Sequence, residues 1–459
     1  MRYFHLVLWV LLMVKCRFQH MHYQLDALSQ CLPANIHETL NELPTDQEDA
    51  YKETLQKIPG EIQLFAYHLL QCLVAALRPL RVIELAQILT VDFNPDAPYT
   101  LVEDWRERNR RDDVLFACSC LISVIDGDNG KVVQLSHTSV KRFLTSDSFS
   151  TSDVINGFHY YISLDEAHFT LARACLTVLL QMDEETEDTD ITGYPLVSYA
   201  AQHWANHVKF GTVGSRTQIR DAMRHLFEAK DPYFYAWIRA RDFNERGLRE
   251  RAMVDYFTQP EVTPLYCAAI LGFHELAQYL IVKRREGVNT KCGGRGTSLH
   301  AASSQGHLDI ARLLLGHFAN PNSRDGRSRI PLRSAFDGGH LDIMALLLQH
   351  GADVDARDGS DFGSLLHDAS YYGREAAVRL LLQHEADVDA RGLLNRTPVH
   401  LATGQGHTKI VRLLLENGAN VKATDSCYNT PLDDAEREGH RDIVELLQSH
   451  GAMTGTKPQ

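Results

Sequence analysis

The sequence predicts a mainly α protein in which a helical region is followed by an α-solenoid of about six short repeats. Three observations predict it. A Leu or Val recurs at 265, 299, 332, 366, 399 and 432, in steps of 34, 33, 34, 33 and 33 residues. Seven positions after each stands a glycine: Gly272, Gly306, Gly339, Gly373, Gly406 and Gly439. In four of the six copies a histidine follows at once (His307, His340, His407, His440). A fixed period near 33 residues marks an array of stacked supersecondary units, none of which buries its apolar faces alone.

Each copy spells helix, turn, helix and an extended loop. In the fifth, Thr397 suits the N-cap and Pro398 the first turn. Gly406 then ends the helix where a left-handed residue is needed, and residues 410–415 give the second helix its apolar face. Gly418 repeats the left-handed stop, but Phe318 and Glu385 stand at that position in the second and fourth copies, at about 1 kcal/mol each if the site is left-handed. In the sixth copy Asp433, Asp434, Glu436, Arg437 and Glu438 replace apolar residues, as a water-facing terminal cap would require.

Upstream, residues 62–74 carry apolar side chains at helical spacing until Pro79, and a second helix is predicted over 81–89 and a third over 112–120. Residues 121–125 and 131–135 are β-rich and flank the turn sequence at 126–130, which predicts a hairpin. A helix capped by Ser or Thr is expected over 136–144. Helices followed by a two-stranded ribbon describe a winged-helix domain. Residues 151–258 read as all-helical, with an acidic loop at 183–190. The expected organisation is an apolar segment at 1–16, a helical segment at 17–60, the winged-helix-like domain at 61–150, a helical domain at 151–260, the repeats at 261–453 and a tail at 454–459.

The repeats, with "Thr-Pro-Leu-Tyr-Cys-Ala-Ala-Ile-Leu-Gly-Phe" at 263–273, resemble ankyrin repeats. The runs at 32–44, 135–144 ("Leu-Ser-His-Thr-Ser-Val-Lys-Arg-Phe-Leu") and 199–204 ("Tyr-Ala-Ala-Gln-His-Trp") are similar to the region after the nucleotide-binding module of fungal NACHT–ankyrin proteins. The winged-helix segment resembles the domain named after a GPI inositol-deacylase. The resemblance implies a signal-transduction NTPase of the STAND type, but its phosphate-binding signature GxxxxGK[ST] does not occur in this sequence. The glycine-rich runs at 293–298 and 211–214 lack the lysine. The chain is therefore expected to begin downstream of the NTPase core, and ATP hydrolysis is not carried over.

Composition narrows the function. The net charge of −13 opposes a general affinity for nucleic acid or anionic membrane. The nine cysteines show no CxxC pair and read as thiols of a reducing, cytoplasmic compartment. The apolar run at 3–14 leaves secretory targeting as an alternative, although no small-x-small cleavage site follows it. Twelve of the 23 histidines fall in 261–459, nearly all at repeat positions, where loop bonding rather than metal ligation is expected. No residue set ties together as a catalytic, cofactor or metal site.

The expected activity is non-catalytic binding of a protein partner through the repeats. Alternatives are the regulatory or sensor half of a NACHT-type signalling NTPase, and a nucleic-acid-binding regulator. The last would use the arginines at 106–111 and Lys141-Arg142, although Asp126 and Asp128 at the wing tip oppose phosphate contacts. The residues just before each helix-ending glycine are expected on the concave face: Ser304, Gln305, Asp337, Tyr371, Tyr372 and Gln405. The tyrosine pair would supply aromatic anchors. Phe362, Leu393, Leu394 and Tyr428 at predicted hairpin tips are apolar where solvent is expected, which marks a contact surface.

Overall fold

The structure is a computed structural model. It describes residues 47–94, 99–101, 115, 118–127, 130–146, 154–155, 158–182, 194–228, 233–238, 240, 262–357 and 362–454. These fall into two compact units, within 1–252 and 253–459. The apolar segment at 1–16, the run at 32–44, the arginines at 106–111 and the acidic stretch at 183–190 lie outside the described residues.

The first unit opens with α1 (Gln47–Gln56) and α2 (Gln63–Ala75). The apolar spacing of α2 buries Ala66, Leu69, Leu70, Leu73 and Val74, and the chain turns extended at Ala76, ahead of Pro79. β1 (Leu80–Arg81) and α3 (Val82–Ile88) follow. Glu84 in the first turn of α3 reaches back to accept from the backbone N–H of Arg81 (2.7 Å), which caps the helix. It is fully buried. It also accepts from both terminal nitrogens of Arg78 (2.9 and 2.7 Å), so its charge is paired.

β2 (Ile122–Gly127) and β3 (Gly130–Leu135) form the expected ribbon, with Val124 opposite Val133 and Gly127 opposite Gly130. β1 joins the outer edge of β3, giving a three-stranded antiparallel sheet in the order β1-β3-β2. α4 (Thr138–Leu144) follows. Its cap is His137 rather than Ser or Thr: the imidazole Nδ1 accepts from Ser139 N–H at 3.1 Å. This is a winged helix.

Downstream, β4 (Val154–Ile155) and β5 (Phe158–His159) pair antiparallel, so this region is not all-helical. Two-residue strands carry no readable alternation. α5 (Leu164–Leu179), α6 (Val197–Val208) and α7 (Thr217–Leu226) complete the helical part. Trp204, Trp237, Phe227 and Phe234 meet there in a buried aromatic cluster.

The second unit holds six helix pairs among its described residues: α8 (Pro264–Leu271) with α9 (His274–Val282), α10 (Ser298–Gln305) with α11 (Leu308–Gly316), α12 (Pro331–Gly338) with α13 (Leu341–Gln349), α14 (Leu365–Tyr371) with α15 (Glu375–Gln383), α16 (Pro398–Gly404) with α17 (Thr408–Glu416), and α18 (Pro431–Glu438) with α19 (Arg441–Ser449). Second helices stack on second helices through all six copies, and first helices stack within the first three copies and within the last three, so a leucine-rich core runs along the array. All six punctuating glycines have φ between 72 and 79°. At Gly272 a Cβ would also sit 2.5 Å from the His307 ring, so glycine serves both the backbone and the packing.

Phe318 and Glu385 are left-handed, with φ of 65 and 62°, against 88° at Gly418. The sixth copy departs from expectation at one residue. Asp434 is buried rather than water-facing. It is held by Arg396 from the preceding copy and by Arg437 (2.5 Å).

Candidate functional site

Sequence repetition places the candidate residues at matching points of successive copies. Ser304, Gln305, Asp337, Tyr371 and Gln405 lie at or beside the C-terminal ends of first helices. Gln305, Asp337, Tyr372 and Gln405 are exposed, and Ser304 and Tyr371 half-buried. Asp337 is held by Arg333 (3.0 Å) and Arg329 (3.5 Å), so its charge is balanced within the array.

The tip residue Phe362 and the helix-end tyrosines form one cluster, although sequence reasoning set them on separate surfaces. Phe362 stacks on Tyr371 with centroids 4.3 Å apart, and Tyr371 meets Tyr372 edge-on at 5.2 Å. Phe362 is consequently half-buried, not a solvent-facing tip. Tyr372 remains outward at 56% exposure, and Leu393, Leu394 and Tyr428 at 59, 60 and 52%.

Backbone bonds tie these tips together. Leu393 N–H donates to Phe362 O (2.8 Å), and Ser426 N–H donates to Leu394 O (2.9 Å). Leu394 and Tyr428 have φ of 54 and 65°, a conformation bulky residues rarely adopt. Exposed apolar side chains on a strained backbone are uncommon without a function.

Six of the repeat histidines bond the backbone of neighbouring loops and copies. In the second, fourth and fifth copies, Nδ1 of His300, His367 and His400 accepts from the N–H of the capping Thr297, Ser364 and Thr397 (3.1, 3.1 and 3.2 Å). Their Nε2 atoms therefore carry the hydrogen and donate to Arg329 O, Arg396 O and Asn429 O in the following loop (3.0, 3.2 and 3.2 Å). Burial pulls all three imidazoles below the usual histidine range, which keeps them neutral for this task. The second set reaches backwards: His307 to Ile270 O (3.3 Å), His340 to Ser304 O (3.3 Å) and His407 to Tyr371 O (3.0 Å). In the fourth copy Arg374 stands in the histidine's place and donates to Phe336 O. Among the described residues, no three His, Cys, Asp or Glu side chains converge as metal ligands. No disulfide joins the described cysteines, and no described helix is long and apolar enough to cross a membrane.

In the winged helix, Lys141 Nζ donates to Val74 O (2.8 Å), so this lysine fastens α4 to α2. A cavity of about 380 Å³ opens in the first three copies, lined in part by Ser304 and Ser334.

A regular stack of helix pairs with loop-bonding histidines and an exposed apolar tip surface defines a helical-repeat interaction module. Comparison with known proteins places its parts. The model of ankyrin repeats matches three times, at residues 248–325, 325–392 and 366–457, and that of the GPI inositol-deacylase winged helix domain matches residues 54–156. The chain is similar to azaphilone pigments biosynthesis cluster protein L of Monascus ruber, at 27% identity over 295 residues. The match covers 61% of each, so the chain spans less than two thirds of that relative's length. Similar solved structures include the human ASB11 ankyrin repeat domain (29% identity, TM-score 0.37, 42% of this chain and 85% of that one). An ankyrin repeat domain from Acinetobacter baumannii gives 29% identity, TM-score 0.39 and coverage of 41 and 98%. The chain carries a winged-helix domain of the GPI inositol-deacylase type followed by ankyrin repeats, the order of the fungal NACHT–ankyrin proteins it resembles.

Proposed function

We propose that the chain is a non-catalytic scaffold that holds a protein partner on the hairpin-tip face of its fourth to sixth ankyrin repeats. One observation carries this reading: Leu393, Leu394 and Tyr428 are exposed along tips that are hydrogen-bonded in series, and the helix-end Tyr372 is exposed beside the Phe362–Tyr371 stack at the same tips. Apolar side chains on a pre-ordered backbone lose little entropy on docking. The sequence lacks a phosphate-cradling GxxxxGK[ST] loop, and we assign it no catalytic step. Its thiols suit a cytoplasmic location.

Capture of the partner from native lysate by the full chain, followed by affinity measurement with Leu394→Asp, tests this. Asp tolerates the left-handed backbone at this exposed position, so the fold should hold. Lost binding supports the reading, and undiminished binding removes it. The order of winged helix and ankyrin array favours a second reading, the sensor half of a NACHT-type signalling NTPase. An in-frame GxxxxGK[ST] exon in the upstream DNA would support that reading, and a stop codon with no such exon would count against it.

A further inference from the structure

The cavity in the first three ankyrin copies has a chemistry unlike the apolar tips. Arg295, Arg327 and Arg329 line it with Tyr266, Ser304 and Ser334. It sits in a basic part of an acidic chain: residues 291–337 hold seven Lys or Arg against three Asp, an excess of four positive charges where the whole chain carries −13. Its geometry is set by glycine. Gly326 N–H donates to Gly294 O (3.0 Å), bringing two successive loop tips into contact. A Cβ on Gly326 would lie 2.7 Å from Gly294 Cα, so no other residue lets the loops approach so closely. The arginines at 295 and 327 each follow one of these glycines and are carried by the touching tips.

Asp325 completes the arrangement. Its Oδ1 accepts from the N–H groups of Arg327 and Arg329 (both 2.8 Å), and its Oδ2 from Arg329 Nε (3.2 Å). The carboxylate is therefore spent on holding the loop in shape.

We propose that this cleft takes the carboxylate side chains of an acidic segment of the protein partner. Arg329 is engaged by Asp325 and Asp337, and the guanidiniums of Arg295 and Arg327 on the touching tips suit monoanionic Asp or Glu, whose planar oxygens match the guanidinium fork. The net charge of the whole chain sets its long-range field against nucleic acid. The inference rests on the array being a partner-binding surface and adds the partner's chemistry: a run of acidic residues in the same protein as the apolar anchor that meets the tips.

The test uses the full chain and a short fluorescein-labelled peptide of alternating glutamate and glycine, followed by anisotropy. Saturable binding that weakens with salt is expected. Arg327→Glu, on an exposed tip, should weaken it about tenfold or more, and Arg295→Gln should weaken it in the same direction. Lys409→Glu, the same charge change on α17, should leave it unaltered. Absence of saturable binding would overturn the proposal, as would equal affinity in Arg327→Glu with an unchanged circular dichroism spectrum. About tenfold tighter binding of a phosphoserine peptide or of single-stranded DNA would also overturn it, because the cleft would then read phosphate. A natural partner that Leu394→Asp loses and Arg327→Glu keeps would sink the cleft while leaving partner binding by the array intact.

Discussion

Phe362 and Tyr371 stack face to face, with ring centroids 4.3 Å apart and planes 27° from parallel. The stack joins a loop tip to the end of a first helix within one repeat. It fixes Tyr371 from below and leaves Tyr372 as the outward member of the cluster. Such a pair contributes about 1 kcal/mol beyond its area.

Tyr371→Ala combined with Tyr372→Ala should therefore weaken partner binding by about 2 kcal/mol or more, as loss of aromatic anchors does. Tyr372→Ala alone removes the exposed ring without opening the stack, and its circular dichroism spectrum should match the parent. Equal affinity for both variants would move the contact to Leu393, Leu394 and Tyr428. A collapsed spectrum for the double variant only would show that Tyr371 serves packing.

Phe318→Gly and Glu385→Gly should each stabilise the array by about 1 kcal/mol or less, because both residues hold φ above 60° where glycine is unstrained. Phe318 is 88% exposed, so its removal forfeits little burial. Urea midpoints for the two variants measure the effect, and lower midpoints for both would contradict it.

Asp434→Ala should cost about 2 kcal/mol. It leaves Arg396 and Arg437 without the buried carboxylate, and their own partial exposure discounts the larger penalty of a fully buried pair. A double-mutant cycle with Arg396→Ala isolates the pair, and coupling below about 0.5 kcal/mol would show that solvent replaces it.

The first unit should lose stability in mild acid. His207 is buried, with Nδ1 against His168 Nδ1 and Nε2 against the Tyr199 hydroxyl, both at 2.8 Å. Burial, reinforced by the neighbouring histidines 168 and 203, pushes its pKa down to about 3. The unfolded chain takes up the proton near 6.5 and the folded unit does not. Its contribution is thus full above about pH 6.5 and falls by about 1.4 kcal/mol per unit as pH drops from there toward 3. All four tryptophans lie in this half of the chain, so their fluorescence reports its unfolding alone. His207→Gln should flatten the slope between about pH 6.5 and 5. An unchanged slope would mean that other groups set it.

What repeats in the sequence could be read from it. Six recurrences of one glycine and the loop-bonding histidines gave the helix ends and the role of His300, His367 and His400. Contacts made once could not be read. Phe362 precedes α14 and reaches Tyr371 at the other end of that helix, a contact that no spacing in the sequence announces. Asp434 looked solvent-facing because its partner Arg396 lies 38 residues earlier, in another copy. Arg374 concealed a repeat contact by changing residue type while keeping the bond to Phe336 O. The cleft arginines were legible as residues but not as a group, since two glycines must touch to assemble them.

The forward-reaching histidine bond has a further consequence for how such a gene changes. From His300, His367 and His400 it spans 29 residues in every case, just short of one period. Removing or duplicating one whole period rejoins an equivalent imidazole to an equivalent carbonyl. Unequal crossing-over can thus lengthen or shorten the array without orphaning a donor, while a shorter insertion between one of these histidines and its carbonyl shifts that bond out of register. The constant span makes the whole repeat the unit by which the array changes length.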